Sequence, residues 1–552
     1  MLGLMQDWPL RIHRVIDHAA EQHGRQVVVS RSCEGPIHRI TYVELRKRSL
    51  QVAQRLAREG IKPGDRVATL AWNTWRHLEA WYGIVGCAGV YHTVNPRLFP
   101  DQICWIMTHA EDRILMVDLT FVPMLEKFAD KLPASLEKVI ILTDDAHMPQ
   151  TALRNAISYE SWLAEADGDF AWAEVDENAA AGMCYTSGTT GNPKGVVYSH
   201  RSNVLHSLAM CSPDALALGS KRSILPVVPL FHANSWSIAF SAPLAGAKLV
   251  MPGPKLDGAS VYEMLEMEQV HTTAGVPTVW LMLLQHMEKE GKTLNHLKRV
   301  MIGGSAAPRA MIETFEKKYG VEVFHAWGMT EMSPVGSLGI MKAQLGDLDD
   351  KALYDVKQKQ GFAPFTVEMK ITDDAGKRLP WDGKTFGRLK VRGPAVASGY
   401  YGGDGGNVLD EEGFFDTGDV STIDENGYMQ ITDRSKDVIK SGGEWISSID
   451  LENLAVGHPD VAEAAVIGIH HPKWDERPLL IIVKKPGTEP TKEALLKFME
   501  GKIAKWWMPD DVVFIDQIPH TATGKIQKME LRTIFKDYRL PTASPAEVLS
   551  KA

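Results

Sequence analysis

The stretch YTSGTTGNPKG, from Tyr185 to Gly195, combines three glycines, four serine or threonine hydroxyls and one lysine. Apolar residues on both sides of it, in MCY and GVVYSH, predict one strand before the loop and another after it. Glycines let backbone N–H groups approach an anion closely, and the hydroxyls and Lys194 add further donors. The loop therefore favours a phosphate site at the end of a strand over an inert surface turn, which clusters of glycine and serine also form.

The neighbours of Lys194 exclude one kind of phosphate loop. A P-loop nucleoside triphosphatase has glycine immediately before the lysine and a hydroxyl residue after it. Here Pro193 precedes Lys194 and Gly195 follows it. The loop must therefore bind phosphate in another way.

The composition of the chain is that of an ordinary globular protein with two or more domains. Its 552 residues are 44% hydrophobic and 23% charged. The net charge of −9 argues against a surface for nucleic acid, which should be basic. Five scattered cysteines without a CxxC pair argue against disulfides and structural zinc. We expect a cytoplasmic protein without a membrane span, because no segment approaches the ~20 apolar residues that a span needs.

The spacing of apolar residues predicts an α/β fold. It predicts a helix from Tyr42 to Leu56, which Gly60 stops and a short β-branched strand follows. The same alternation of helix and strand returns at Val261–Pro277 and Leu297–Met301. Strands separated by helices are typical of α/β layers with mostly parallel sheets.

The pattern changes in the last third of the chain. After Gly361, apolar and polar residues alternate between glycine-rich turns, which favours a small antiparallel sheet or a barrel. From Arg434 a last segment of roughly a hundred residues is long enough for a small α+β domain. Glycines on both sides of Asp433–Lys436 predict a hinge there.

Four further motifs follow the glycine loop in an order that resembles the adenylate-forming superfamily of acyl-CoA synthetases, peptide-synthetase adenylation domains and beetle luciferases. They are WGMTE (Trp327–Glu331), DTGD (Asp416–Asp419), DRSKDVIKSGGEWIS (Asp433–Ser447) and PHTATGKI (Pro519–Ile526). The resemblance covers essentially the whole chain and is greatest to the synthetases of medium- and long-chain fatty acids, including ligases for methylmercaptopropionate.

This resemblance implies a fold and a reaction. The fold would be a large N-terminal domain, residues 1–433, of layered α/β sheets plus a small β-barrel. A small mobile α+β domain, residues 434–552, would follow it. The reaction would be ATP-dependent ligation of an aliphatic or thioether acid to coenzyme A, through acyl-AMP and pyrophosphate, with Mg²⁺. Neither half needs a protein nucleophile, so the side chains position substrates and stabilise charge.

The motifs also imply which residues carry the reaction. Lys525 is expected to bridge the attacking carboxylate and the α-phosphate, which Thr330 also contacts, and Lys194 is expected on the pyrophosphate. Glu331 and Thr186 offer oxygen ligands for Mg²⁺, a hard cation. The full set of expected ATP and AMP contacts is Thr186, Ser187, Gly188, Thr189, Thr190, Gly304, Ser305, Ala306, His325, Ala326, Trp327, Gly328, Met329, Thr330, Asp419, Ile431, Arg434, Lys436, Lys440, Trp445 and Lys525.

The resemblance extends to the acid and to coenzyme A. The expected acyl pocket consists of His232, Trp236, Val276, Gly303, Gly304 and Pro334, and the expected coenzyme A contacts are Gly442, Gly443 and Glu444. Trp236 corresponds to a tryptophan that gates the acyl tunnel in related synthetases, although a tryptophan here is otherwise an ordinary core residue. No acidic residue stands in PLFHAN, where amino-acid-activating relatives commonly hold one to pair a substrate ammonium, so an acid with an uncharged tail is favoured.

Two other functions stay open on the sequence. One is an aryl or amino acid adenylating enzyme that loads a carrier protein, which the lack of an adjoining carrier domain disfavours. The other is a catalytically silent nucleotide-binding member of the fold, which the presence of both Lys525 and Glu331 disfavours. A homodimer is expected by analogy with bacterial relatives of this branch.

Overall fold

The structure is a computed structural model of the chain and describes residues 1, 3–186, 192–434, 437–442, 444–520 and 526–543. Within these ranges, no helix combines the length and the apolar character that crossing a bilayer requires.

Two mostly parallel sheets form the large N-terminal part. The strands of the first sheet are β1 (Val27–Arg31), β2 (Ile37–Thr41), β10 (Ser223–Pro226), β11 (Lys248–Met251), β12 (Thr272–Gly275), β13 (Arg299–Ile302), β14 (Glu322–Gly328) and β15 (Val335–Leu338). They lie in the order β15-β14-β13-β12-β10-β11-β1-β2. At the two edges, β2 pairs antiparallel with β1 and β15 pairs antiparallel with β14.

The second sheet has the same character. Its strands are β3 (Arg66–Leu70), β4 (Val90–Thr93), β5 (Ile114–Val117), β6 (Lys138–Ile141), β7 (Ile157–Ser158), β8 (Ala180–Tyr185) and β9 (Gly195–Ser199). Their order is β7-β6-β5-β3-β4-β8-β9, and the edge strand β9 pairs antiparallel with β8. The glycine loop therefore connects two neighbouring strands, as the sequence predicts.

Fifteen α-helices accompany the sheets in the part of the chain that is described. They are α1 (His13–Gln22), α2 (Tyr42–Arg58), α3 (Trp75–Gly86), α4 (Pro100–His109), α5 (Val122–Glu126), α6 (Tyr159–Ala164), α7 (His200–Met210), α8 (Ile238–Leu244), α9 (Gly258–Met267), α10 (Pro277–Lys289), α11 (Arg309–Glu313), α12 (Asp350–Lys357), α13 (Ser448–Val456), α14 (Lys492–Met499) and α15 (Lys528–Ile534). The helix predicted from Tyr42 is confirmed, and a Thr41–Glu44 capping box fixes its start.

Burial on both faces explains the apolar strands of the two sheets. One core lies between the sheets and contains helices α1, α2, α3, α7 and α8, of which α3 is buried along its whole length. A second core lies under α9, α10 and α11 on the far face of the first sheet, and a third lies under α4 and α5 on the second sheet. Val28 points into the central core and Val29 into the outer one, as strand geometry requires. The result is five layers of alternating helix and sheet.

Two smaller sheets complete the fold. One is antiparallel, with strands β16 (Glu368–Thr372), β17 (Gly387–Arg392), β18 (Phe415–Ile423) and β19 (Met429–Arg434) in that order. The other consists of β20 (Ile439–Ser441), β21 (Glu444–Ile446), β22 (Val461–His471), β23 (Asp475–Lys484) and β24 (Asp511–Phe514), with cores of its own on both faces. The predicted antiparallel segment after Gly361 is therefore present, and the segment after Arg434 is α+β.

A glycine substitution tests the close contact of α2 with α3. A Cβ added at Gly83 would lie 2.4 Å from the Cβ of Val52. Alanine is otherwise the better helix former by about 1 kcal/mol. Because the clash outweighs that gain, we expect Gly83→Ala to destabilise the protein by about 1–3 kcal/mol, seen as a lower urea midpoint. Gly219→Ala, where nothing lies within 4 Å of the added Cβ, is the control. An unchanged midpoint for Gly83→Ala would contradict the described packing.

Candidate active site

Parallel strands bring the predicted motifs to one edge of the first sheet. The parallel pairing of β12, β13 and β14 ends at one level, since Gly275 pairs with Ile302 and Ile302 pairs with His325. Val276 and Gly303 therefore leave the sheet beside Ala326, from which β14 continues to Gly328. Ligands of α/β proteins bind at such carboxyl ends.

The glycines after β13 are required by their neighbours. A Cβ on Gly303 would lie 3.0 Å from the carbonyl oxygen of Ala326 and 3.0 Å from the Trp236 indole. Gly304 has a left-handed φ of +82°, and its Cβ would lie 3.1 Å from Val276. The turn thus brings four of the predicted acyl-pocket residues into contact, and it keeps the backbone open to a ligand.

Trp236 stands on an unusual backbone that the sequence does not predict. Residues Ala233 to Ser237 all have φ between +44° and +64°. L-residues disfavour this conformation by about 1 kcal/mol each, so the surrounding structure must hold it. Asn234 does so, because its side chain accepts from the Tyr91 hydroxyl at 2.9 Å and donates to Asn203 at 3.2 Å. Buried hydrogen bonds of the neighbouring Asn234 therefore fix the backbone that carries Trp236.

His232 lies at the other end of this segment. With Thr93, Asn95 and Tyr185 it lines a small cavity at the carboxyl ends of β4 and β8. The predicted histidine of the acyl site is therefore adjacent to the strand that leads into the glycine loop.

Thr330 and Glu331 form a tight turn after β14. A Cβ on Gly328 would lie 2.1 Å from the carbonyl oxygen of Pro334, and Met329 N–H donates to that same oxygen at 3.0 Å. The carboxylate of Glu331 is buried, with only 6% of the residue exposed. Its Oε1 accepts from the Tyr400 hydroxyl at 2.6 Å, and among the residues described here its Oε2 has no hydrogen-bond partner.

The ends of the glycine loop are tied together. Thr186 N–H donates to the carbonyl of Lys194 at 2.9 Å, and Lys194 N–H donates to Thr186 Oγ1 at 3.2 Å. The ammonium of Lys194 lies 4.9 Å from the centre of the Tyr400 ring. Four predicted phosphate contacts, Ser187, Gly188, Thr189 and Thr190, lie outside the described residues.

Asp419 connects two of the predicted nucleotide residues. Trp327 Nε1–H donates to one carboxylate oxygen at 2.8 Å, and Arg434 pairs with the other at 2.9 Å. The indole of Trp327 packs on Gly336, where a Cβ would lie 2.6 Å from the ring. A carboxylate accepts about four hydrogen bonds, so Asp419 can still accept from two hydroxyls.

His325 supports the site from the core rather than facing a ligand with its ring. Ala307 N–H donates to its Nε2 at 3.2 Å, and its Nδ1–H donates to the carbonyl of Gln358 at 2.8 Å. Burial lowers the pKa of His325, which agrees with a neutral ring that donates once and accepts once. The ring thereby fixes the backbone of the Gly304–Ala307 turn. Ile431 N–H is held nearby by Gln360 at 2.6 Å.

The C-terminal candidates are described only in part. Lys436, Gly443 and Lys525 lie outside the described residues, as do the side chains of Glu444 and Trp445. The Lys440 side chain is exposed, and its N–H donates to Glu476 at 2.9 Å. Gly442 has a left-handed φ of +60°, and a Cβ there would lie 2.9 Å from the Trp474 ring.

The structure adds residues that sequence reasoning missed. His206 accepts from Val335 N–H at 3.1 Å and donates to Ser237 Oγ at 2.8 Å, so it joins the Trp236 segment to the strand after Glu331. Burial lowers the pKa of His206 to about 4, which keeps it neutral. Tyr198 donates to the carbonyl of Thr330 at 2.8 Å. No sequence motif indicates these residues, since each contacts a segment that is far away in the chain.

The motifs match one family over most of the chain. Residues 16–401 match the AMP-binding enzyme family, and residues 450–525 match the AMP-binding enzyme C-terminal domain. The chain belongs to the AMP-binding enzymes. The predicted membership of the adenylate-forming superfamily is thereby confirmed.

Several relatives share close to half of their residues with this AMP-binding enzyme. A 3-methylmercaptopropionyl-CoA ligase of Ruegeria lacuscaerulensis is 47% identical, over 97% of this chain and 99% of its own. A medium-chain-fatty-acid–CoA ligase of Ectopseudomonas oleovorans is 45% identical over 99% of both chains. A long-chain-fatty-acid–CoA ligase of Thermus thermophilus is 45% identical over 97% of both.

Solved structures confirm the predicted fold class. ATP-bound MatB from Rhodopseudomonas palustris superposes with a TM-score of 0.80 and 26% identity, covering 96% of this chain and 99% of the other. An anthranilate CoA ligase with bound anthranoyl-AMP gives a TM-score of 0.84 at 23% identity, with the same coverage.

The bond between Trp327 and Asp419 yields a prediction for nucleotide binding. Trp327→Phe keeps an aromatic face but removes the donor to a buried carboxylate. A hydrogen bond to a charged group contributes about 1.5–3 kcal/mol, so we expect ATP affinity to fall about tenfold or more in calorimetry. Trp381→Phe, at an exposed position, is the control and should bind ATP normally. Normal ATP binding by Trp327→Phe would contradict the expected role of Asp419 as a nucleotide contact.

Proposed function

We propose that this enzyme activates a straight-chain aliphatic or thioether carboxylic acid with an uncharged tail and joins it to coenzyme A at the carboxyl edge of the first sheet. The observation that supports this most is one of position. Trp236 lies against Gly303 and Val276 lies against Gly304, next to β14 and the turn that carries Glu331. The enzyme class, an AMP-forming acyl-CoA synthetase that uses ATP and coenzyme A, is confirmed by the relatives at 45–47% identity.

The chemistry around Trp236 supports an apolar acid. Trp236 belongs to the central hydrophobic core together with Ala326 and Val335. The polar side chains beside it, Asn234 and Ser235, are already hydrogen-bonded within the protein. No acidic residue between Pro229 and Trp236 is present to pair with a substrate ammonium. Methylmercaptopropionate and fatty acids, which the relatives' names give, satisfy this requirement.

The proposed reaction has two displacements. A carboxylate oxygen of the acid forms a bond to the α-phosphorus of ATP, and the bond to the pyrophosphate oxygen breaks. The thiol of coenzyme A then loses its proton and attacks the acyl carbon, and the C–O bond to AMP breaks. We assign Thr330 and Lys525 to the α-phosphate, Lys194 and the glycine loop to the departing pyrophosphate, and Asp419 with Arg434 to the ribose. Each step needs positioned charge and no protein nucleophile.

The donor groups near the glycine loop fit Mg²⁺. Glu331, a buried residue, has one carboxylate oxygen without a hydrogen-bond partner in the described part of the chain, and Thr186 offers a hydroxyl. Oxygen donors of this kind are those that Mg²⁺ takes. When bound, the ion neutralises charge on phosphate oxygens. We therefore propose Glu331 and Thr186 as its protein ligands.

The C-terminal segment is proposed to move as a domain, from residue 434 onward, and to deliver Lys525. It has two hydrophobic cores of its own, separate from those of the large sheets. His520 and Ile526, on either side of residues 521–525, pair as an antiparallel bridge. The proposed movement would withdraw Lys525 after adenylation and bring the coenzyme A contacts at Gly442–Glu444 to the site, so that the two half-reactions are separated.

The cellular setting is also a proposal. We propose a cytoplasmic homodimer, by analogy with bacterial relatives of this branch. Light scattering of the purified 552-residue chain measures the mass that decides the oligomeric state.

Exchange of labelled pyrophosphate into ATP, without coenzyme A, tests the proposed function. The acids to compare are acetate to palmitate, methylmercaptopropionate, benzoate and several amino acids. We expect exchange to peak with one aliphatic or thioether acid and coenzyme A to turn that acid into its thioester. A peak with benzoate or an amino acid would contradict the proposed acid class. If none of these acids supports exchange although ATP binds normally, the protein is catalytically silent.

Lys525→Ala tests the assignment of the catalytic lysine. Loss of a positioned charge on the α-phosphate should lower the adenylation rate by about 100-fold or more, while thioester formation from supplied acyl-AMP stays within a fewfold of normal. Rapid-quench assays of each half-reaction measure both rates. Lys536→Ala, an exposed lysine of the same domain, is the control. Equal loss in both half-reactions would contradict the assignment.

A further inference from the structure

Two opposite charges, those of Glu331 and Lys194, lie beside the glycine loop. Glu331 is buried, and Lys194 is partly buried. Among the described residues, neither takes part in an ion pair, although ion pairs are common elsewhere in the chain. An unpaired buried charge is costly, so such groups are retained for ligands of opposite charge.

One side chain touches both charges. The Tyr400 hydroxyl donates to Glu331 Oε1 at 2.6 Å, and the same ring lies 4.9 Å from the ammonium of Lys194. The first contact is a short hydrogen bond to an ionised oxygen, and the second has the geometry of a cation–π interaction. Tyr400 therefore contacts both the lysine and the carboxylate.

The surroundings of Tyr400 hold it in this place. Its ring packs at the edge of Phe415 in β18, with centroids 6.2 Å apart, and against the buried Cys184, Val196 and Tyr198 of the loop's two strands. The segment that leads to it is bound to the Glu331 turn, because Ala397 N–H donates to the carbonyl of Glu331 at 2.7 Å. Tyr400 thus connects the small antiparallel sheet to the two strands that flank the glycine loop.

We propose that Tyr400 is a positioning residue that sets the Glu331 carboxylate and the Lys194 ammonium for the magnesium complex of ATP. Its hydroxyl occupies Oε1 and leaves Oε2 for the cation, while its ring holds Lys194 on the phosphate side and keeps it from pairing with Glu331. This rests on the proposed function, in which Glu331 binds Mg²⁺ and Lys194 binds pyrophosphate.

The neighbouring Tyr401 offers a matched control. Its ring contacts His109 at 5.4 Å and Arg66 at 6.0 Å, and it makes no contact with Glu331 in the structure. Tyr401→Phe removes a tyrosine hydroxyl, as Tyr400→Phe does, but from the next residue. Tyr400→Leu removes both contacts of Tyr400, whereas Tyr400→Phe removes only the hydrogen bond.

The experiment measures metal binding without turnover. Mn²⁺, as a paramagnetic stand-in for Mg²⁺, is titrated into the 552-residue enzyme with saturating ATP, and bound ion is followed by electron paramagnetic resonance. Loss of a hydrogen bond to a charged group predicts that Tyr400→Phe weakens Mn²⁺ binding about tenfold or more. Tyr401→Phe should stay within about twofold, and Glu331→Gln should weaken binding at least as much as Tyr400→Phe. Tyr400→Leu should weaken ATP binding as well, because Lys194 loses its support.

The outcomes separate this proposal from the proposed function. Mn²⁺ binding by Tyr400→Phe equal to that of the wild type would overturn it. Equal weakening by Tyr401→Phe, or a lowered melting temperature that accounts for the loss, would also overturn it, since Tyr400 would then be merely structural. Absence of acid-dependent pyrophosphate exchange in the wild type would contradict the proposed function alone, because the Mn²⁺ titration does not depend on catalysis.

Discussion

Burial of both faces of the two large sheets is the constraint on which the site depends. In β1, Val28 faces the central core and Val29 faces the outer core, so neither face of the strand is open to a ligand. The same is true of β13, where Met301 and Ile302 enter different cores. Chemistry must therefore be placed where the strands end. The register of β12, β13 and β14 brings three such ends together, and the glycines there leave room for substrates.

The charges of the site follow a second constraint. Asp419 is stabilised by two donors of the protein, and it holds its place without a ligand. Glu331 and Lys194 are different, because the described part of the chain gives them a tyrosine in common and no ion pair. A protein that binds a polyphosphate with its cation needs this arrangement, since the ligand brings both complementary charges. In the proposed function, the fold thus separates the groups assigned to the nucleoside from the groups assigned to the phosphates.

The sequence predicts the features that are local or belong to a motif. Helix α2 follows from apolar spacing and a cap, and the strands around the glycine loop follow from apolar runs that flank it. Family membership follows from five motifs in order.

Other parts of the site arise only from tertiary contacts. The left-handed backbone from Ala233 to Ser237 contains no glycine, and its polar anchors Tyr91 and Asn203 are far away in the chain. Tyr400 lies 69 residues from the carboxylate that it contacts. Neither the left-handed backbone nor the contact of Tyr400 can be predicted from a pattern in a single sequence.

In the proposed reaction, the carboxylate of the acid is activated on the α-phosphate of ATP at this site. Oxygen-18 in both carboxylate oxygens of the acid follows that bond directly. The enzyme turns over the labelled acid with ATP and coenzyme A, and the nucleotide is analysed by mass spectrometry. We expect AMP that carries one labelled oxygen, because the acyl C–O bond breaks in the second step. Unlabelled AMP, or label in inorganic phosphate with release of ADP, would contradict it.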